Sequence, residues 1–250
     1  MTRNVKKKPA FEVRRYRAYR AMPWRNGRGV TLEIAREPAL GEDFAWRLSL
    51  ADIDRDGEFS AYPGYRRALV LVAGKRLHLR FLGHGNCSLD PTKRGTRFEG
   101  EWKTRCAIPD GGCTDLSLIV RRGDGSRPTS VVRAPKMLRL ESPARVALGS
   151  DLYGALYVLE GSVAVTESVR VRPRIVGTRD TILLAPAPGR TLSLRALGRS
   201  PAQIILLRWR PGRMTTPTSL NRAPERLSGT SRKSPPRSGR SPRDQIAVPP

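Results

Sequence analysis

The chain is organised around the stretch Pro23-Trp24-Arg25-Asn26-Gly27-Arg28-Gly29-Val30-Thr31-Leu32-Glu33-Ile34-Ala35. Its first half predicts a tight turn, because an asparagine and two glycines within four residues favour positive φ. Its second half alternates apolar Leu32 and Ile34 with polar Thr31 and Glu33, which is the period of a half-buried strand. A polar loop is thus followed by polar groups on one strand face, beside a buried apolar face. Such an arrangement can build a pocket.

Other segments also predict strands. Trp46–Ile53 and Leu77–Phe81 alternate apolar and polar residues, 68–73 is apolar on both faces, and 116–121 is a further β-like run. No stretch before residue 123 has the i, i+3, i+4, i+7 pattern of a long helix. The sequence therefore predicts a mainly all-β protein.

The β pattern repeats within the chain. Residues 68–74 (ALVLVAG) are echoed by 155–161 (ALYVLEG), about 87 positions later, and 116–119 is echoed by 204–207 at nearly the same offset. This spacing predicts two small β-barrels or jelly rolls, one over 21–125 and one over 126–210. A basic arm over 1–20 precedes them. A tail rich in Pro, Ser and Arg over 211–250 follows and is predicted to be disordered, because it carries too little apolar area.

The charge balance favours anionic partners without assigning one. The formal net charge is +25, with 47 basic against 22 acidic residues, so attraction to polyanions is expected. The segment 14–20 (RRYRAYR) would suit single-stranded nucleic acid if its tyrosines were exposed; otherwise they pack on a barrel. No apolar run approaches the roughly 20 residues that span a bilayer, and no secretory signal is evident. We expect a cytoplasmic protein without membrane contact, and a homodimer is compatible with the sequence.

The residues that could hold a metal are sparse. His78 and His84 are the two histidines, and Cys87, Cys106 and Cys113 lack C-x-x-C spacing. We therefore expect no metal and no other cofactor. No G-x-S-x-G elbow is present, which disfavours nucleophilic catalysis.

Four motifs carry a family resemblance. They are Pro23-Trp24-Arg25-Asn26-Gly27-x-Gly29-x-Thr31-x-Glu33-Ile34-Ala35; Trp46-Arg47-Leu48-Ser49-Leu50-Ala51-Asp52; Gly57-x-Phe59-Ser60-x-Tyr62-Pro63-Gly64-x-x-Arg67; and Asp115-Leu116-x-Leu118-x-x-Arg121-Arg122-Gly123. Together they resemble the HutD/Ves family of bacterial proteins over roughly 20–210. The resemblance implies a bicupin, an association with histidine utilisation, and an acidic ligand such as formylglutamate. It implies a regulatory role rather than an established enzyme. Arg28, Arg66, Ser117 and Ile119 depart from the family pattern.

The residue types favour a pocket for a small carboxylated metabolite. Arginine grips a carboxylate with two parallel hydrogen bonds, and Arg47 lies on the same predicted strand face as Ser49. Trp24 and Trp46 are more typical of core. The predicted ligand-binding residues are Asn26, Thr31, Glu33, Arg47, Ser49, Ser60, Arg67, Arg121 and Arg122, and no catalytic residue is assigned.

Three hypotheses follow. The first is a metal-free bicupin that binds this metabolite. The second is a nucleic-acid-binding protein that uses its basic ends. The third is a metal-free enzyme with a buried Glu33 as general base. The alternative role for Glu33 is to anchor Asn26 or to pair with an arginine. Enzymatic activity stays undecided, with binding alone favoured.

Overall fold

The computed structural model describes residues 10–24, 29–38, 43–123, 129–168 and 171–212. Asn26, the start of the basic arm and residues 213–250 of the predicted tail lie outside these ranges. A single-turn 3₁₀ helix spans Tyr16–Ala18, and the remaining regular structure consists of strands. In chain order these are β1 (Phe11–Arg14), β2 (Arg20–Pro23), β3 (Val30–Glu37), β4 (Trp46–Ile53), β5 (Gly57–Phe59), β6 (Tyr65–Ala73), β7 (Leu77–Phe81), β8 (Gly85–Leu89), β9 (Gly95–Glu99), β10 (Thr104–Ala107), β11 (Cys113–Arg121), β12 (Val131–Val132), β13 (Lys136–Leu140), β14 (Ala144–Ala147), β15 (Tyr153–Glu160), β16 (Ser162–Thr166), β17 (Arg174–Gly177), β18 (Thr181–Leu184), β19 (Thr191–Leu197) and β20 (Ala202–Arg210).

Each half of the chain packs a large sheet on a small one. The first half has the large sheet β2-β3-β4-β11-β6-β9 and the small sheet β5-β10-β7-β8. In the second half, the large sheet has the order β1-β18-β15-β20, with β12 and β13 both pairing with β20, and the small sheet is β14-β19-β16-β17. The all-β bicupin prediction is confirmed.

The repeat seen in the sequence corresponds to matching strands. β6 pairs antiparallel with β11 in the first half, as β15 does with β20 in the second. Both β6 and β15 are followed by a glycine with positive φ, Gly74 at 95° and Gly161 at 85°. The two halves therefore repeat both the strand pairing and the turn that leaves it.

The N-terminal segment contributes to the second half. β1 pairs antiparallel with β18, and Phe11 and Val13 pack against the apolar core of that half. The first half begins at β2. Part of the segment predicted as a basic arm is thus a strand of the distant barrel.

Three apolar clusters hold the layers together. One fills the second barrel and one fills part of the first, where it includes Leu71, Leu79 and Phe81. The third lies between the two large sheets, where Trp46 meets Trp209 edge to face at 5.0 Å. Trp46 is therefore core, as its position predicted. Within the described residues, no helix has the length and apolarity needed to cross a membrane.

Candidate functional site

Polar side chains line the inward face of the large sheet in the first half. Along β4, Trp46, Leu48 and Leu50 pack between the two large sheets, so the alternating Arg47 and Ser49 face the inside of the barrel. The same alternation turns one set of residues inward on β3, β6 and β11. The inward polar face consists of Glu33, Arg47, Ser49, Arg67, Asp115 and Ser117.

The strand register arranges this face in three rows. The arginine row is Arg47, Ile119, Arg67 and Phe98. The serine row is Glu33, Ser49, Ser117 and Leu69. The aspartate row is Thr31, Ala51, Asp115 and Leu71. Consecutive rows lie two residues apart along a strand, which is roughly 7 Å.

The two arginines of the first row converge on one tyrosine. The guanidinium carbons of Arg47 and Arg67 lie 5.3 Å and 5.5 Å from the centre of the Tyr62 ring. Arg47 Nη2 donates to the Tyr62 hydroxyl at 2.7 Å. Arg67 also lies over Phe59 and Phe98, at 5.3 Å and 4.9 Å. Cation–π contacts thus hold two positive charges close together.

Arg67 is buried and forms no ion pair with a carboxylate of the described residues. It is 6% exposed, and its Nη1 donates to the Ser60 carbonyl oxygen at 3.1 Å. Burial lowers the pKa of its guanidinium, an effect that the charge of Asp115 partly offsets. An arginine keeps its proton even so, and a buried cation held mainly by aromatic rings favours an incoming anion.

Asp115 and Glu33 supply the acidic groups of the face. Asp115 is 3% exposed, and burial raises its pKa to about 7, against the opposing influence of Arg67. Glu33 is buried too, and its Oε1 accepts from Arg20 Nη2 at 2.9 Å. The ion pair that the sequence offered as an alternative for Glu33 is therefore present.

Five buried atoms of the inward polar face have no hydrogen-bond partner within the described part of the chain. They are Glu33 Oε2, Arg47 Nε, Arg67 Nε, Asp115 Oδ1 and Ser117 Oγ. Each such atom costs roughly 1 to 3 kcal/mol relative to a satisfied one. Both donors and acceptors therefore face the barrel interior with unused bonding capacity.

The remaining predicted residues take other roles. Thr31 lies on the aspartate row, and its Oγ1 accepts from Trp24 Nε1 at 2.9 Å. The Trp24 ring covers Gly29, where an added Cβ would come within 2.9 Å of it, so this glycine permits the close packing of the hairpin. Ser60 is exposed and contributes its carbonyl oxygen to Arg67.

Arg121 and Arg122 do not join the arginine row. Arg121 donates to Asp43 Oδ1 at 3.1 Å and lies over Tyr65. Arg122 pairs with Glu99 at 3.3 Å and Glu101 at 2.8 Å. Both guanidinium groups are thus held in ion pairs at the end of β11.

Sequence reasoning did not select Tyr62, Asp115 and Ser117 for the site. The signal was available, because Leu116 and Leu118 on β11 predict one face and leave Asp115 and Ser117 on the other. Tyr62 stands in the same motif as Arg67. Its role depends on a loop conformation that periodicity does not describe.

Two surface cavities lie beside the inward polar face rather than within it. One of about 750 Å³ lies along the small sheet and is lined by Glu58, His78, Arg80 and Arg105 among others; none of the predicted site residues contributes. Another of about 600 Å³ lies beside β9 and includes Arg67 and Phe98 in its wall. The second cavity therefore approaches the arginine row from its β9 side.

The two histidines, and the tyrosines Tyr16 and Tyr19 of the N-terminal segment, lie outside the inward polar face. His78 is exposed on β7, and His84 stacks on Trp102 with ring centres 4.2 Å apart. No group of three His, Cys, Asp or Glu side chains comes together in the ranges that the structure covers. Tyr19 is buried and donates to the Arg179 carbonyl oxygen at 2.7 Å, while Tyr16 packs against it edge to face.

The chain is similar to two bacterial proteins over somewhat less than half of its own length. It is 38% identical over 110 residues to an uncharacterized 21.2 kDa protein in the hutC 3′ region of Pseudomonas putida, covering 44% of this chain and 57% of that protein. It is 45% identical over 109 residues to protein Ves from Escherichia fergusonii, covering 41% and 55%. The chain thus spans somewhat more than half the length of these relatives.

Solved structures extend the similarity. A conserved protein of unknown function from Pseudomonas aeruginosa has a TM-score of 0.68 at 28% identity, covering 80% of this chain and 98% of that one. The structure of HutD from Pseudomonas fluorescens in a formate condition has a TM-score of 0.63 at 25% identity, covering 81% of this chain and 99% of that one. The pirin YhhW from Escherichia coli, at 9% identity and a TM-score of 0.54, covering 81% and 99%, shares the fold alone. The HutD family model matches residues 16–202, and the chain belongs to the HutD family.

Proposed function

We propose that this protein binds a small carboxylated metabolite inside its first barrel, with a regulatory role in histidine utilisation or related amino-acid catabolism. The ligand carboxylate lies beside Arg47 and Arg67, and the hydroxyl of Tyr62 orients it. The site needs no metal, because two guanidinium groups supply the positive charge. Hydrogen bonds to charged groups contribute roughly 1.5 to 3 kcal/mol each, which suffices for a micromolar-scale binder once several form.

One observation carries the proposal. Among the described residues, five of the eight buried side-chain polar atoms without a hydrogen-bond partner belong to a single sheet face. Two of the five are guanidinium nitrogens of arginines that share the Tyr62 ring. Buried polar groups are normally satisfied, so a cluster of unsatisfied ones favours a bound polar molecule. An anion that accepts hydrogen bonds from Arg47 and Arg67 would balance the positive charge of the two guanidinium groups.

The family relationship guides the choice of ligand. The name HutD and the hutC-region relative link the family to histidine utilisation, and one solved HutD is described as a formate condition. We therefore select N-formylglutamate as the first probe, with urocanate, glutamate and formate as comparisons. All four are carboxylates at neutral pH.

Isothermal titration calorimetry with these four acids tests the proposal. We expect Arg67→Met to weaken binding of N-formylglutamate at least 100-fold, since two charge-assisted hydrogen bonds are lost. The matched control is Arg80→Met, because Arg80 is exposed on the small sheet outside the inward polar face. Equal binding by wild type and Arg67→Met, or no binding of any of the four acids, would contradict the proposal.

A metal-free enzyme acting on the same metabolite is the second candidate, and Glu33 favours it. Its Oε2 is buried without a partner, as a general base aimed at a ligand would be. Glu33→Gln separates the two functions: an enzyme loses turnover while N-formylglutamate still binds, whereas a pure binding protein shows no turnover in wild type either.

A further inference from the structure

Asp115 lies where the polar and apolar parts of the first barrel meet. It is on the row farthest from the arginines, and two residues earlier, at the start of β11, Cys113 belongs to the apolar cluster with Ile53 and Leu71. Among the residues that the structure describes, its Oδ1 has no hydrogen-bond partner, and Asp115 and Arg67 form no ion pair within 4.0 Å. The carboxyl group is therefore buried, and the charge of Arg67 acts on it without direct contact.

We propose that Asp115 belongs to the anion site as a neutral acid, and that binding of a carboxylate beside Arg67 places one proton on Asp115. The inference rests on the proposed anion-binding function. The bound carboxylate offsets the positive charge of Arg67 and adds a negative charge inside the same barrel. Both effects disfavour an ionised Asp115. A protonated carboxyl group gains an O–H donor for the ligand or for the neighbouring Ser117.

The electrostatics of the free protein support this assignment. Burial raises the pKa of Asp115 to about 7, while the positive charge of Arg67 acts in the opposite direction. Asp115 therefore titrates close to neutral pH in the free protein. An anion that offsets Arg67 raises the pKa further, so nearly all anion-bound molecules hold the proton.

The groups around Asp115 are two thiols, an exposed carboxylate and the charged side chains of the inward polar face. Burial raises the pKa of the Cys113 thiol to about 12 and that of Cys106 on β10 above its ordinary value, so both stay neutral at pH 6 to 8. Asp52 on β4 is exposed, and its Oδ1 accepts from Thr114 at 2.6 Å. The charged groups elsewhere on the inward face are Arg67 on β6, Arg47 on β4 and Glu33 on β3.

Calorimetry at several pH values tests the inference with N-formylglutamate, whose carboxylates stay ionised above pH 6. We expect wild type to bind about tenfold more weakly at pH 8 than at pH 6, because only the protonated form accepts the anion. Titrations at pH 8 in two buffers with different ionisation enthalpies should report uptake of nearly one proton. This measurement needs no variant and so does not depend on how a substitution folds.

Asp115→Asn is the isosteric variant, and its thermal midpoint confirms folding. We expect it to bind N-formylglutamate with the same Kd at pH 6 and pH 8 and without proton uptake. Asp52→Asn is the matched control, which removes a nearby exposed carboxylate. Because the charge of Asp52 contributes to the raised pKa of Asp115, this variant should move the pH dependence to lower pH without abolishing it.

The possible results separate this inference from the proposed function. Binding with equal Kd at both pH values, tighter binding at high pH, or a pH dependence that persists in Asp115→Asn overturns the inference and leaves anion binding intact. Absence of N-formylglutamate binding at every pH overturns both.

Discussion

The two barrels have the same strand pairing and opposite interiors. The pairs Leu69–Ser117 and Leu71–Asp115 of the first barrel correspond to Leu156–Leu206 and Val158–Ile204 of the second. All four of the latter residues belong to the buried apolar cluster of the second barrel. Where the first half has hydroxyl and carboxyl groups facing inward, the second half has hydrocarbon.

In the arginine row, the arginine of the strand pair stands on a different strand in each barrel. Arg67 pairs with Ile119, and the corresponding pair in the second barrel is Gly154 and Arg208. At Gly154 an added Cβ would come within 3.0 Å of a Leu184 methyl carbon, so the second barrel leaves little room for a side chain there. Packed hydrocarbon stabilises a fold at each position, whereas unsatisfied polar groups destabilise it. We infer that the second barrel serves mainly stability and that the first gives up some stability to hold a site.

Introducing a carboxylate into the second barrel should produce the largest effect on stability. Ile204 is fully buried, and Ile204→Asp places the side chain of Asp115 at the corresponding position. The arginine on that strand face, Arg208, lies four residues away and donates to the Ala147 carbonyl oxygen. We expect the free energy of unfolding at pH 7 to fall by about 3 to 5 kcal/mol. Denaturant unfolding measures it.

Ile204→Val is the control for that substitution. It removes one methylene and should cost only about 0.5 to 1.5 kcal/mol. If Ile204→Asp cost no more than this, the second barrel would tolerate charge as well as the first does, and the contrast between the two interiors would have no energetic basis.

Asp115 should make the stability of the first barrel depend on pH. Its pKa is raised to about 7 by burial, far above the ordinary value near 3.9. Between these values the folded chain binds more protons at this group than the unfolded chain does, so its contribution to stability falls as pH rises. We expect Asp115→Asn to gain about 2 to 3 kcal/mol in unfolding free energy, relative to wild type, between pH 5 and pH 8.

Paired denaturant curves of wild type and Asp115→Asn at the two pH values isolate this term, because all other titrating groups are shared. Asp90→Asn provides a contrast of opposite sign. Asp90 Oδ1 accepts from Thr92 and Lys93, and these hydrogen bonds lower the pKa of Asp90 to about 2. A constant difference between wild type and Asp115→Asn across pH would argue that Asp115 is not held as a buried acid.

The sequence allowed much of the fold to be predicted, because strand periodicity and the 87-residue echo are local patterns. The alternation in β4 was also sufficient to place Arg47 and Ser49 on one face. Long-range choices were not accessible in this way. That β1 pairs with β18 rather than with the adjacent β2 depends on an apolar face about 170 residues away.

The candidate site was predictable where a side chain is positioned by its own strand. This holds for Glu33, Arg47, Ser49 and Arg67, because the alternation of side chains along a strand directs them inward. Arg121 and Arg122 are directed by ion pairs with acids from other segments, Asp43, Glu99 and Glu101, which no spacing in the sequence relates to them.

The smallest expected effect compares the two turns of the repeat. Gly74 and Gly161 both have positive φ, so alanine at either should cost about 1 to 2 kcal/mol in backbone strain. At Gly74 an added Cβ would also lie 2.5 Å from the Cys113 Cβ and 2.8 Å from its Cα, whereas at Gly161 the nearest atoms are 3.3 Å away. We expect Gly74→Ala to lower the unfolding free energy by roughly 1 to 2 kcal/mol more than Gly161→Ala, because a backbone atom must shift. The two variants control for each other in thermal unfolding. Equal losses would mean that the start of β11 at Cys113 shifts as easily as the corresponding turn of the second barrel, and the packing next to Asp115 would then be less rigid than the short Gly74–Cys113 distances indicate.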